Sequence, residues 1–94
     1  MNQTAAVVVT YNRKNLLRLC ITKLLEQTGA ACDILIIDNA STDGTREMIH
    51  TEFHKPAVIY ENTGRNLGGA GGFEYGVEKA VRMGYEYIWI MDDD

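Results

Sequence analysis

The chain has 94 residues, of which 46% are hydrophobic and 23% are charged, and its formal net charge is −4. This composition is typical of an ordinary globular domain and excludes a disordered or fibrous chain. Because an acidic chain has no general affinity for nucleic acid, we predict no nucleic-acid partner.

The ends of the chain and its two cysteines give a first indication of context. A chain this short buries only about 60–65% of its unfolded surface, and its last residues directly follow an apolar run, so we expect a truncated piece. The start lacks a signal-like segment, and no stretch of 18 apolar residues exists, which predicts a cytoplasmic location. Cys20 and Cys32 are expected to be reduced thiols.

Apolar runs alternate with helical patterns along the chain. Strands are predicted over residues 5–10, 33–38, 57–61 and 87–91. The first helix, capped by Asn12 or Asn15, ends at Gly29, and its apolar stripe comprises Leu16, Leu17, Cys20, Ile21, Leu24 and Leu25. A short helix capped within residues 41–43 reaches about Phe53. A glycine-rich stretch over residues 62–72 then leads into a third helix, which ends at Gly84 and carries Phe73, Val77, Ala80 and Val81.

This alternation predicts an α/β fold. We expect an open, mainly parallel, Rossmann-like sheet of about four strands with helices on both faces. The strands are apolar on both faces, as in sheets that are covered on both sides, so the last strand is also expected to be buried. Tyr87 and Trp89 are expected to pack in or beside the sheet.

Polar residues follow every predicted strand. They are Thr10-Tyr11-Asn12-Arg13, Asp38-Asn39, the segment from Asn62 onward, and Asp92-Asp93-Asp94. The carboxyl ends of parallel strands lie at one edge of a sheet, where ligands bind. The sequence therefore predicts one crevice at this edge.

The acidic run at the end of the last strand predicts a divalent metal. Side chains two apart on extended chain point the same way, so Asp92 and Asp94 could bind one Mg²⁺ or Mn²⁺ ion while Asp93 faces elsewhere. The alternative is a solvated acidic terminus.

The other strand ends offer groups for a nucleotide. Asp38 could accept an N–H from a nucleobase or a hydroxyl from ribose, or it could be a turn carboxylate. The glycines before the third helix would let backbone N–H groups approach a phosphate, although a loop without contacts would look similar. Arg13 and Arg65 could clamp a diphosphate, or they could be surface residues. His50 and His54 have no evident third metal ligand and are interpreted as helix-end residues.

Four segments together resemble the N-terminal half of family 2 glycosyltransferases of the GT-A fold. They are Val7-Val8-Val9-Thr10-Tyr11-Asn12-Arg13, residues 36–45, Asn66-Leu67-Gly68-Gly69-Ala70-Gly71-Gly72-Phe73, and Asp92-Asp93-Asp94. The glycine segment with the triple aspartate is most similar to bacterial rhamnosyl- and galactofuranosyltransferase-like members. Many members carry Asp-Asp-Gly-Ser where this chain has Asp38-Asn39-Ala40-Ser41.

The resemblance implies a role for each matching residue. Thr10, Tyr11, Arg13 and Asp93 would line the nucleotide-sugar pocket. Asp38 would read the base, and Arg65 and Asn66 would border the base or the diphosphate. Asp92 and Asp94 would hold the Mg²⁺ or Mn²⁺ ion. Residues 1–94 would be the nucleotide-sugar-binding part of a GT-A domain, truncated after the triple aspartate.

The implied activity is transfer of a sugar, with inversion, from a UDP- or dTDP-sugar to a hydroxyl of a glycan or lipid-linked acceptor. The general base would lie beyond Asp94, so no catalytic base is assigned within the chain, and the 94 residues alone are expected to be inactive. A peripheral position at the inner face of the membrane is compatible with such acceptors. An exposed sheet edge would favour a homo-oligomer.

Two other functions fit part of the pattern. One is a non-catalytic nucleotide- or metal-binding module. The other is a Mg²⁺-dependent phosphoryl-transfer domain, but such domains carry acidic residues at the end of the first strand, where this chain has Thr10-Tyr11-Asn12.

Overall fold

The computed structural model describes residues 2–28 and 31–93. Its elements, in chain order, are β1 (Thr4–Thr10), α1 (Lys14–Thr28), β2 (Asp33–Asp38), α2 (Thr45–Glu52), β3 (Val58–Asn62), α3 (Gly68–Arg82) and β4 (Tyr87–Asp92). The predicted end of the first helix at Gly29 lies outside the described residues.

The four strands form one parallel sheet in the order β3-β2-β1-β4. The apolar runs predict this class of fold because strands buried in a parallel sheet need no polar face. Since β4 pairs with β1 rather than with β3, the strand order reverses beside β1. The predicted α/β class with helices on both faces is therefore confirmed.

Two apolar clusters hold the helices against the sheet. On one face, α1 and α2 cover β1 and β2, with Leu17, Ile21, Ile34, Ile36 and Met48 at the centre. On the other face α3 covers the same strands, with Val7, Leu35, Ile37 and Ala80 at the centre. Leu16, which the sequence pattern places in the stripe of α1, is exposed instead.

The helix α3 packs through its glycines. Its buried residues are Gly72, Gly76 and Ala80, whereas Val81 is exposed. A Cβ atom on Gly76 would lie 2.5 Å from Val7 Cγ1, so only glycine permits this approach to the sheet. The sequence analysis places the glycine-rich stretch, residues 62–72, before the third helix. This prediction is wrong at its end, because Gly68 to Gly72 already belong to α3.

The last strand is an edge strand. Tyr87, Trp89 and Ile90 are 60%, 52% and 57% exposed. The prediction that β4 is buried, with Tyr87 and Trp89 packed in or beside the sheet, is therefore wrong for its side chains. The run of apolar residues identifies the strand, but the strand order decides its exposure.

None of the helices that the structure describes is both long and apolar enough to span a membrane. No disulfide joins Cys20 and Cys32 in the described residues, in agreement with the prediction of reduced thiols.

Candidate functional site

A cavity of about 320 Å³ opens at the carboxyl ends of β1 and β4, where the strand order reverses. In parallel α/β sheets this is the position at which ligands bind. Its lining residues come from both strand ends and from the start of α3: Val9, Thr10, Tyr11, Arg13, Asn39, Asn66, Gly68, Gly69, Phe73, Asp92 and Asp93. The structure therefore brings together Thr10, Tyr11, Arg13, Asn66, Asp92 and Asp93 from the predicted site residues.

A hydrogen-bonded cluster closes one side of this cavity. The buried carboxylate of Asp93 accepts hydrogen bonds from Thr10 Oγ1 at 2.9 Å and from Arg13 Nη1 at 3.2 Å. These contacts tie the end of β4 to the end of β1. Because the Arg13 side chain is 53% exposed, we expect this ion pair to add little stability, and its main effect is to hold the guanidinium at the cavity. The predicted sugar-binding role of Asp93 stays a prediction.

The predicted metal pair is described only in part. Asp92 is exposed and lines the cavity, whereas Asp94 lies outside the described residues. Within residues 2–28 and 31–93, no group of three or more His, Cys, Asp or Glu side chains is arranged for a metal ion. Mg²⁺ is commonly held by one or two carboxylates together with substrate phosphates. The exposed Asp92 carboxylate at the cavity is compatible with such a site.

The loop after β1 is held by the loop after β2. Asn12, at a φ of 50°, donates its N–H to Ser41 Oγ at 2.8 Å, and its Oδ1 accepts the N–H of Thr42 at 2.7 Å. Asp43 Oδ2 accepts the N–H of Lys14 at 3.0 Å. The start of α1 is therefore capped by Asp43, and the prediction of a cap by Asn12 or Asn15 is wrong.

Asp43 also holds the start of α2, although the N-cap residue of this helix is Gly44 and not, as the sequence predicts, one of residues 41–43. Its Oδ1 accepts hydrogen bonds from the N–H and the hydroxyl of Thr45. Burial alone would raise the pKa of Asp43, but the hydrogen bonds from Thr45 and Lys14 outweigh burial and hold its pKa below the usual range. Asp43 therefore positions two helices and is a structural carboxylate.

Asp38 lies at the end of β2 but not on the wall of the cavity. Asp38 is fully buried. Asp38 Oδ1 accepts the N–H of Ser41 at 2.9 Å, and Oδ2 accepts the hydroxyl of Tyr60 at 2.6 Å. Both carboxylate oxygens are thus engaged within the chain, and the predicted base contact would require one of these partners to move.

The β3–α3 loop is fixed by Asn39, which the sequence leaves open as either a cap or a ligand. Asn39 is buried, and its Nδ2 donates to the carbonyl of Gly68 at 3.0 Å. Its Oδ1 accepts from Thr63 Oγ1 at 3.2 Å and from the N–H of Leu67 at 3.3 Å. An aspartate here could not donate to the Gly68 carbonyl. The only sequence signal was the departure from the family pattern at this position.

The amino terminus of α3 faces the cavity through Gly68 and Gly69. Gly68 has a φ of 78°, which strongly favours glycine. The N–H of Gly68 already donates to Asn66 Oδ1 at 2.9 Å. The following N–H groups and the helix dipole favour an anion there. Arg65, which the sequence predicts at the diphosphate, is exposed in the preceding loop and does not line the cavity.

Comparisons with known proteins identify the family of the chain. The model of the family described as glycosyl transferase family 2 matches residues 5–94. The galactofuranosyltransferase GlfT1 of Mycolicibacterium smegmatis is 37% identical over 89 residues, which cover 95% of this chain and 29% of that protein. The undecaprenyl-phosphate mannosyltransferase of Micrococcus luteus is 33% identical over 93 residues, which cover 94% of this chain and 36% of that protein.

Solved structures share the fold. The mannosyltransferase PcManGT from Pyrobaculum calidifontis, in complex with GDP-Man and Mn²⁺, superposes with a TM-score of 0.78 at 23% identity, covering 98% of this chain and 27% of that chain. TarS 1-349 from S. aureus, in complex with UDP-GlcNAc, gives 0.79 at 20% identity and covers 100% of this chain and 27% of that chain. The chain thus spans about three tenths of the length of these proteins. The match to the family model over residues 5–94 and the identity to curated members show that this chain belongs to glycosyl transferase family 2.

Proposed function

We propose that the chain supplies the donor- and metal-binding half of an inverting glycosyltransferase, which transfers a sugar from a nucleotide-diphosphate sugar to an acceptor hydroxyl. The observation that carries this proposal is the cavity at the reversal of strand order. There Arg13, Asp92 and Asp93 meet the amino terminus of α3. Membership of the glycosyltransferase family supports the choice of ligand.

The cavity offers a place for each part of the donor. Tyr11, which is 44% exposed, presents an aromatic ring on which a base or ribose can pack. Arg13 and the start of α3 supply positive charge and N–H donors for a diphosphate. Asn66 borders the same space. Asp38 keeps its predicted contact with the base only if Ser41 or Tyr60 moves away from its carboxylate.

Asp92 and Asp94 would hold a Mg²⁺ or Mn²⁺ ion. When bound, such an ion neutralises charge that develops on the leaving nucleoside diphosphate. The structure of PcManGT with GDP-Man and Mn²⁺ supports the metal assignment by analogy. Within this chain, Asp93 accepts hydrogen bonds from Thr10 and Arg13 and holds both side chains at the cavity that Asp92 lines.

The acceptor would attack the anomeric carbon from the face opposite the leaving group, with its proton taken by a base outside residues 1–94. The curated relatives include galactofuranosyltransferases and an undecaprenyl-phosphate mannosyltransferase, which supports a glycan or lipid-linked acceptor.

Calorimetric titration of the purified chain with UDP, dTDP and GDP, each with and without Mn²⁺, tests the donor site. We expect metal-dependent binding that the double variant Asp92→Ala, Asp94→Ala weakens at least about tenfold, because these carboxylates would hold the ion that attracts the phosphates. The matched control is Glu78→Ala, Glu86→Ala, which removes the same charge from exposed positions away from the cavity. Equal weakening in the control, or no binding by the folded wild-type chain, would contradict the proposal.

A further inference from the structure

The first turn of α3 is poorly suited to hold itself in a helix. Four of its first five residues are glycines, at positions 68, 69, 71 and 72, and glycine disfavours a helix because it loses the most backbone freedom on ordering. The N-cap residue is Leu67, whose side chain makes no capping hydrogen bond. Asn66 caps one N–H, that of Gly68. The order of this turn therefore depends largely on contacts from outside the helix.

Asn39 supplies such contacts from the position directly after β2. Its side chain bridges two consecutive residues, because Oδ1 accepts the N–H of Leu67 at 3.3 Å while Nδ2 donates to the carbonyl of Gly68 at 3.0 Å. Asn39 is buried, so these hydrogen bonds lie away from competing water. A Cβ atom on Gly72 would lie 3.0 Å from Asn39 Nδ2, so the helix packs directly on the amide. Asn39 therefore fixes the start of α3 against the sheet.

The segment that Asn39 fixes is also a wall of the donor cavity. Asn66, Gly68 and Gly69 line this cavity together with Asn39 itself, and most of the remaining wall comes from the ends of β1 and β4. These two strands are paired, so they cannot move apart without breaking the backbone hydrogen bonds between them. The start of α3 is thus the part of the wall whose position depends on side-chain contacts.

We propose that Asn39 is a positioning residue of the donor site: its amide orders the first turn of α3 as the cavity wall that a nucleotide diphosphate contacts. This inference rests on the proposed function. The role needs a neutral group that donates and accepts at once, which an amide provides and an ionised carboxylate does not. A carboxylate would turn an oxygen toward the carbonyl of Gly68, and it would add negative charge to a cavity that Asp92 and Asp93 already line.

The experiment compares the affinity of wild type and Asn39→Asp for UDP with Mn²⁺, measured by calorimetry at about pH 8 and at about pH 5, on either side of the range to which burial raises a carboxyl pKa. At the higher pH the new carboxylate is ionised and cannot donate to the carbonyl of Gly68. We expect the variant to bind UDP about tenfold more weakly than wild type there, because a buried hydrogen bond is replaced by a repulsive contact.

The lower pH separates this hydrogen bond from a general loss of structure. A protonated carboxyl can donate to the carbonyl of Gly68 as the amide does, so the variant should then bind within about twofold of wild type. Burial and the carboxylates around the cavity favour the protonated form, whereas the guanidinium opposes it; these groups are Asp38, Asp92, Asp93 and Arg13. The ratio of the two affinities at one pH cancels the titration of UDP and of the metal site.

The matched control is Asn62→Asp. It adds the same charge to an exposed asparagine at the end of β3, outside the cavity. The control should bind UDP within about twofold of wild type at both pH values.

Two measurements on wild type do not depend on the folding of a variant. The side-chain amide protons of Asn39 should exchange with solvent at least about tenfold more slowly than those of the exposed Asn62. The backbone N–H resonance of Gly69 should shift on addition of UDP with diamagnetic Mg²⁺.

The possible results distinguish this inference from the proposed function. The inference would be overturned, with the donor site intact, by full UDP affinity of Asn39→Asp at the higher pH or by an equal loss at both. Equal exchange of the two side-chain amides, or UDP binding that leaves the Gly69 resonance in place, would also overturn it. Absence of UDP binding by folded wild type would overturn the proposed function and this inference together.

Discussion

The two ends of β2 carry the same chemistry in different surroundings. Asp33, the first residue of the strand, accepts the hydroxyl of Tyr85 at 2.7 Å, and Asp38, the last, accepts the hydroxyl of Tyr60 at 2.6 Å. Each carboxylate is buried and also accepts a backbone N–H, from Asn2 at 3.1 Å and from Ser41 at 2.9 Å.

The difference lies in what surrounds each pair. Asp33 has a third donor, Asn2 Nδ2 at 2.8 Å, and its tyrosine is itself buried. Tyr60 is only partly buried and lines a groove. Asp33 lies at the amino edge of the sheet and Asp38 at the carboxyl edge, where α/β proteins bind ligands. A buried carboxylate with a tyrosine partner is therefore a structural clamp at one edge and a candidate ligand contact at the other.

The strongest test of the clamp is Asp33→Ala. The substitution leaves the buried hydroxyl of Tyr85 and both donors of Asn2 without their acceptor. We expect the free energy of unfolding in urea to fall by about 3 kcal/mol. The folded fraction of the Asp33→Ala variant should bind nucleotide with an affinity within about twofold of wild type.

The control for that test is Glu52→Ala, which removes an exposed carboxylate bound to Arg18. A surface ion pair of this kind contributes less than about 1 kcal/mol. A loss no larger for Asp33→Ala than for Glu52→Ala would show that the Asp33 cluster adds little to stability.

The pH dependence of the unfolding free energy provides a second test of Asp33. Burial would raise the pKa of Asp33, but the hydrogen bonds from Tyr85 and Asn2 outweigh it and hold this pKa below its usual range. A carboxylate with a depressed pKa in the folded state adds stability at neutral pH that is lost as the pH falls below about 4. Asp33→Asn should therefore flatten the fall of the unfolding free energy between about pH 4 and pH 2. Asp43, whose pKa is also lowered, is present in both proteins and contributes equally to both. If the unfolding free energy, measured in urea, depends on pH identically in wild type and variant, the assignment to Asp33 is contradicted.

The smallest expected effect concerns the turn that holds Asp38. Ala40 has a φ of 62°, in the left-handed region that disfavours residues with a Cβ atom. Ala40→Gly should raise the free energy of unfolding by about 0.5–1 kcal/mol, because it relieves this strain. Ala57→Gly, at a residue outside the positive-φ set, should instead lower it. Denaturation of both variants gives the sign of each change in unfolding free energy. A lower unfolding free energy for Ala40→Gly would show that Ala40 is not strained.

Much of the fold could be predicted because it depends on local patterns. The apolar, β-branched runs place β1, β2 and β4 within about one residue of their observed bounds, and the polar residues after them indicate the edge where the cavity opens. The strand order is a long-range property. For that reason, the exposure of Trp89 could not be anticipated from its apolar neighbours.

The errors at the site share one cause, since each depends on a contact between segments distant in sequence. Asp43 caps α1 from a loop 29 positions further on, and Tyr60 reaches Asp38 across 22 positions. Glycine density left a loop without contacts open as an alternative, because the sequence does not show that Gly72 and Gly76 face the sheet. Side-chain pairing between strands carries no periodic signal, so the hydrogen bonds of Tyr60 and Asn39 could be seen only in the structure.

The pairing of β1 with β4 also bears on the order of events during synthesis. The central strand β1 lies within the first ten residues, yet one of its two neighbours is made only at residues 87–92. The hydrogen bond between Thr10 and Asp93 spans 83 positions. Contacts of such long sequence separation form slowly and leave apolar surface exposed while the chain emerges. The edge at which the cavity opens therefore cannot assemble until residue 93 has left the ribosome.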